Sequence, residues 1–99
     1  MNAIANIAVS GMRAAAIGLQ AAAHNVANLG NLAATRQSAH LEAVPEGGVR
    51  ASVGPAPADP FAPLGDVVDA MAYRLQFEAG AFVLKIGDEV LGSLLDARA

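Results

Sequence analysis

The sequence predicts an all-α chain in which two long helices, one N-terminal and one C-terminal, form an antiparallel coiled-coil-like hairpin joined by a Pro/Gly-rich connection. Three observations lead there. Apolar residues make up 55 % of the 99-residue chain, and much of that share is alanine, the strongest helix former. All five prolines fall within residues 38–63, leaving long proline-free segments on either side. Within both segments the larger apolar residues recur at steps of three and four, the spacing of a helix face.

Composition also bounds what such a chain can do. Three phenylalanines and one tyrosine are its only aromatic residues, so it has little bulk with which to fill a core. A strong helical tendency without bulk predicts a fold completed by partners. Net charge is −3 and the six basic residues form no run, which argues against a nucleic-acid surface. With no cysteine, disulfides and thiolate metal sites are excluded. The N-terminus lacks the basic stretch of a cleaved secretory signal. Residues 14–35 carry no charge and are long enough to cross a bilayer, but Gln20, His24, Asn25, Asn28 and Asn31 interrupt them, and no membrane span is expected.

The chain divides into residues 1–37 as the first helix, 38–63 as the connection and 64–99 as the second helix, with both helices forming one domain. In the first, Val9, Met12, Ala16, Leu19, Ala23 and Val26 make a coiled-coil seam. Beside it runs a stripe of mostly small residues, Ile4, Ala8, Gly11, Ala15, Gly18 and Ala22, which lets a second backbone approach closely. The second segment has two apolar faces. Val68, Met71, Leu75, Ala79, Phe82, Ile86 and Val90 share one; Phe77, Leu84, Leu91 and Leu95 lie roughly opposite. A charged stripe of Arg74, Glu78, Lys85 and Asp96, with Glu89 at its edge, runs between them. Arg74 and Glu78, and Lys85 and Glu89, are spaced to pair. One helix partner covers only one apolar face. The expectation is that the Phe82 and Ile86 face meets the first helix and the Leu91 face meets a neighbour.

In the connection, residues 44–53, "VPEGGVRASV", are compatible with a short strand or hairpin around Gly47 and Gly48. Residues 54–63, "GPAPADPFAP", read as an extended, polyproline-like spacer. Nothing in the sequence points to catalysis. His24 and His40 have no partner ligands at metal-binding spacing, and Asp88 and Glu89 are neighbours that point about 100° apart on a helix. Ser10 and Ser93 lack an adjacent base, and the glycines form no phosphate loop. No enzyme activity, cofactor, metal or small-molecule substrate is expected.

Both ends carry motifs. Residues 10–31, "SGMRAAAIGLQAAAHNVANLGN", resemble the N-terminal signature of flagellar basal-body rod and hook proteins: Ser10 to Ala15 match its opening, Leu19 its mid-helix apolar position, and Asn25-Val26-Ala27-Asn28 its Asn-Ile-Ala-Asn motif. Residues 77–99, "FEAGAFVLKIGDEVLGSLLDARA", resemble the same family's C-terminal signature through Phe77-Glu78-Ala79, Val83-Leu84-Lys85 and residues 88–95. The "GGVR" at 47–50 is similar to a short middle segment of the proximal rod type. Two motifs in order at the two ends cover about half the chain.

The resemblance implies a structural subunit of the bacterial flagellum, exported without a cleaved signal by the flagellar type III apparatus and assembled helically into the rod of the basal body. Its implied partners are other rod or axial proteins, copies of itself and the export apparatus. The implied assembly interface draws on Val9, Met12, Leu19, Asn25, Val26, Asn28, Phe77, Phe82, Leu84, Ile86, Leu91, Leu94 and Leu95, with Asn25 and Asn28 fixing register in an apolar seam. Two departures stand against the pattern. Leu32 and Ala33 occupy the place of a helix-breaking Pro-Gly pair, so the first helix is expected to run on towards Arg36. The 26-residue connection is also shorter than the family's middle region. These departures support an alternative, a soluble rod-like paralogue that binds axial subunits or the export apparatus and regulates assembly.

Overall fold

A computed structural model describes residues 3–31, 33–59 and 61–98. Helix α1 (Ala3–Ala27) is followed by strands β1 (Gln37–Ala43) and β2 (Val49–Pro55) and by helix α2 (Ala62–Arg98). The chain is therefore not all-α. The connection folds into an antiparallel β-hairpin in which Ala43 pairs with Val49, Leu41 with Ala51 and Gln37 with Pro55. Its turn is where the sequence places a glycine pair. Gly47 and Gly48 both adopt φ values near +93°, a region that side chains other than glycine disfavour. The Gly47 N–H donates to the Val44 carbonyl at 3.0 Å and the Val44 N–H to the Gly48 carbonyl at 3.2 Å, closing the loop.

Alternation along β1 decides which side faces inward. Ser38, His40 and Glu42 are exposed, while Gln37, Ala39 and Leu41 are half-buried. The expected polyproline-like spacer begins inside β2, which takes up Gly54 and Pro55, and the Ala56 N–H extends the ladder to the Arg36 carbonyl at 2.8 Å. Proline is tolerated there because Pro55 closes a strand at the end of a two-stranded sheet.

The layers run hairpin, α1, α2. Helix α1 packs against both strands and against α2, whereas α2 packs against α1 alone among the described elements. The helices are antiparallel: Asn25 of α1 meets Asp66, Gly18 meets the Tyr73 ring, and Met12 lies against Gly80. With 37 residues against 25, α2 is the longer, and roughly its last two turns extend past the described start of α1. The molecule measures 63 × 25 × 15 Å.

The core is thin. Its buried apolar residues are Ala5, Ala14, Ala15, Ala21, Ala22 and Ala62, and no large side chain is fully buried among the described residues. The small-residue stripe of α1, with Ala15 and Gly18 at its centre, makes this contact. Of the expected seam Met12 joins it, at Gly80, while Leu19, Ala23 and Val26 are exposed and Val9 and Ala16 are half-buried. Close approach of two backbones wins over knobs of larger side chains because Gly18 makes room for the Tyr73 ring, which a Cβ there would overlap.

Helix α1 also ends at Ala27, short of Arg36. The asparagines account for this. The Asn28 amide donates to the His24 carbonyl at 2.8 Å, satisfying an acceptor at the helix end, and the Asn31 Oδ1 accepts from the Ala33 N–H at 3.1 Å in an Asx turn. Asn25 draws the chain back by binding the start of β1. Leu32, the other residue in place of the Pro-Gly pair, lies outside the described residues.

Candidate assembly interface

Two opposite ends of the molecule carry its polar and apolar extremes. At one end α1 closes, β1 starts and α2 begins, and a buried polar knot ties all three. The Asn25 side chain accepts from the Gln37 N–H and donates to the Gln37 carbonyl, both at 2.7 Å, pairing with β1 as a neighbouring strand would. The same amide nitrogen reaches Asp66 Oδ1 at 3.3 Å. Arg36 donates to Asp66 Oδ1 at 2.7 Å through one guanidinium nitrogen and to the Pro57 carbonyl at 2.9 Å through the other. Asp66 is only 4 % exposed, and its Oδ2 has no partner, so the site is anchored through one oxygen. His24 completes this end: its Nε2 meets the Thr35 carbonyl at 3.3 Å and its Nδ1 faces the Asn28 amide at 3.4 Å, which suits the tautomer protonated on Nε2.

Midway along α1, Ser10 clasps the hairpin. Its hydroxyl donates to the Ile7 carbonyl at 2.7 Å and accepts from the Val49 N–H at 3.1 Å. The turn glycines sit directly over Ile7 and Ser10, so side chains there would collide with α1. The sequence marked Ser10 only as a hydroxyl without an adjacent base and as the start of the N-terminal motif. Its link to the strand rests on a tertiary approach that no local pattern encodes.

The other end is apolar and open. The α2 face that meets α1 runs through Asp66, Tyr73 and Gly80, and Phe77 and Leu84 share its phase. This differs from the expected assignment over the first half of α2, whereas towards its far end Phe82, Ile86 and Val90 do come beside Ile4 of α1. The face bearing Val68, Met71, Leu75, Phe82, Ile86 and Val90 lies about 180° away and is bare: every one of these side chains is exposed, Met71 and Leu75 by 67 % each. Leu64 extends the same strip to the start of the helix and is 75 % exposed. Leu91, Leu94 and Leu95 are also exposed, near or beyond the start of α1. Between the α1 start and this part of α2 lies an open apolar groove of about 700 Å³, lined by Ile4, Phe82, Ile86, Val90 and Leu94 among others.

The thirteen expected interface residues therefore separate into groups. Asn25 is buried inside the chain, Asn28 caps its own helix, and Met12 packs on Gly80. Both asparagine side chains are engaged within the chain. Val9 and Leu84 are half-buried, and Phe77, although it shares the phase of Tyr73, is 41 % exposed. Leu19, Val26, Phe82, Ile86, Leu91, Leu94 and Leu95 remain on the surface. Val68, Met71 and Leu75 belong with them, and their apolar periodicity was the signal for it.

Among the described residues no cluster of His, Asp or Glu has the makings of a metal site, and no helix is long and apolar enough to cross a membrane. Of the two spaced charge pairs on α2, Arg74 and Glu78 meet at 3.2 Å. The chain matches no protein-family model and no curated protein.

Proposed function

We propose that this protein is a structural subunit of the flagellar basal-body rod, working by assembly and without catalysis. The observation that carries the reading is the α2 helix, which packs on α1 through Asp66, Tyr73 and Gly80 while an apolar strip from Leu64 to Val90 stays exposed. Full burial of a large aliphatic or aromatic side chain stabilises by roughly 1.5–3 kcal/mol, so a strip of seven such residues held in water forgoes a large association free energy. A helix of this kind is suited to side-by-side packing in an assembly. The terminal motifs give that assembly a name, and the implied partners are rod and axial proteins, copies of the chain and the type III export apparatus.

The alternative, a soluble paralogue that regulates assembly, draws on the short hairpin that stands where the family has a longer middle region. A tagged copy expressed from its native locus separates the two. The rod reading expects the tag to copurify with detergent-washed basal bodies and swimming to be lost when the gene is deleted. A tag found only in the soluble fraction of swimming cells overturns it.

A further inference from the structure

We infer that the free chain forms a symmetric antiparallel dimer through the bare face of α2, with a two-fold axis crossing the helix between Ala81 and Phe82. Three observations fit a second copy of this chain to that face.

The first is area. The chain exposes 7033 Å². A compact monomer of its mass exposes about 5,200 Å², so the excess is roughly 1,800 Å². Each partner in a stable interface gives up about 800 Å², less than this excess. Helix α1 contacts α2 through Gly18 at Tyr73 and Met12 at Gly80, and only its start, at Ile4, comes to the edge of the strip beside Phe82, Ile86 and Val90.

The second is charge. Arg74, Glu78, Lys85 and Glu89 follow one another along one flank of the bare face at steps of four, seven and four, with alternating sign. Arg74 lies as far before the proposed axis as Glu89 lies after it, and Glu78 as far before as Lys85 after. An antiparallel partner therefore sets Arg74 against Glu89 and Glu78 against Lys85, four opposite-charge pairs in the dimer. A two-fold axis perpendicular to the helices brings like flanks together, so a stripe confined to one flank meets itself. In a parallel pair the stripe would face the other flank, which carries Gln76, Val83, Gly87 and Leu94 and a single charge, Asp69. Only the antiparallel arrangement sets an acidic residue of the partner opposite both Lys85 and Arg74, the latter already paired with Glu78 of its own helix at 3.2 Å.

The third is the fit of the apolar strip in that same register. The point opposite Leu75 falls between Ile86 and Val90 of the partner, and the point opposite Met71 between Val90 and Leu94. Each Phe82 enters the space beside the partner's small Ala79. The apolar strip is thus compatible with the axis that the charges set. Pairing would cover the strip that axial assembly needs, which makes the dimer a storage form; its existence does not depend on the flagellar reading.

Sedimentation equilibrium of the purified full chain from micromolar to millimolar concentration should show a monomer–dimer equilibrium that stops at two. A monomer throughout, or masses that climb without limit, overturns the inference. Arg74→Glu with Lys85→Glu makes the stripe wholly acidic, and Glu78→Lys with Glu89→Lys makes it wholly basic. Each double variant should dimerise at least about tenfold more weakly than the parent, and mixing the two should restore pairing. Equal dimerisation of all three refutes the register. The chain has no cysteine, so a nitroxide on Asp96→Cys is unique. At 1.5 Å per residue the antiparallel dimer separates the two labels by about 45 Å, and a distance under about 20 Å would show a parallel pair.

Discussion

The two ends of this molecule solve the problem of a small chain in opposite ways. Where α1, β1 and α2 converge, polar groups supply the specificity: Asn25, Arg36, Gln37 and Asp66 bind one another in a site where Asp66 is almost sealed from water. At the far end α2 continues with leucines and phenylalanine in solvent and only the start of α1 beside it. The knot is complete within one chain; the far end is not. A core whose buried apolar members are alanines gains little from burial alone, so fixed hydrogen bonds have to define where the layers meet. Much of the unsatisfied apolar surface lies along α2, with Ile4, Leu29 and Phe61 exposed elsewhere.

Breaking the knot should have the largest effect on the fold. Arg36→Ala leaves the Asp66 carboxylate buried with only the 3.3 Å bond from Asn25, and removes the tie to the Pro57 carbonyl. Removing one partner of a buried ion pair costs roughly 3–5 kcal/mol, and partial exposure of Arg36 places the expected loss near the lower figure, about 3 kcal/mol. Arg36→Lys should lose less, because the charge remains while the fork that reaches two acceptors does not. Urea unfolding followed by circular dichroism measures both. A loss under about 1 kcal/mol for Arg36→Ala would mean that the hairpin and helices hold together without the knot.

The knot was half legible. An Asn-rich helix end pointed to something special at residues 25–31, and an apolar seam was the available explanation. The actual partner of Asn25 is the backbone of Gln37, twelve residues on, and it exists only once the hairpin has formed. The hairpin turn was readable from Gly47-Gly48, whereas β1 was not: "QSAHLEA" has no β-branched residue, and becomes a strand through its pairing with β2 and its anchoring by Asn25. On α2 the periodicity revealed both apolar faces but could not rank them. The choice was made by α1, whose Gly18 accepts Tyr73, and a glycine adds nothing to a hydrophobic pattern.

That choice is the next point of attack. Gly18→Ala should gain up to about 1 kcal/mol of helix propensity and lose more through collision with the Tyr73 ring, for a net loss of about 1 kcal/mol. Gly11 lies on the same stripe with open space around it. Gly11→Ala keeps the propensity gain without the collision and should stabilise by up to about 1 kcal/mol. Thermal melts of the pair test the packing directly: the two variants should shift in opposite directions. If both rise together, the helices are not held at the Gly18–Tyr73 contact.

The smallest effect on the fold is expected at the far end, from Leu95→Glu. Leu95 is exposed, lies in the part of α2 that extends past the start of α1, and points away from the Phe82 strip. A charge there replaces no intramolecular contact, so the melt should move by no more than about 0.5 kcal/mol. Dimerisation through the Phe82 strip should also survive, since that strip lies on the other side of the helix. Axial assembly is different. A subunit packed on several sides in a tube would bury this position against a neighbour, where an unpaired carboxylate is strongly disfavoured. The expected result is a stable, helical, dimer-competent protein that no longer enters basal bodies, in cells that do not swim. Normal swimming with Leu95→Glu would show that the free end of α2 is not an assembly surface, and the subunit reading would then rest on the Phe82 strip alone.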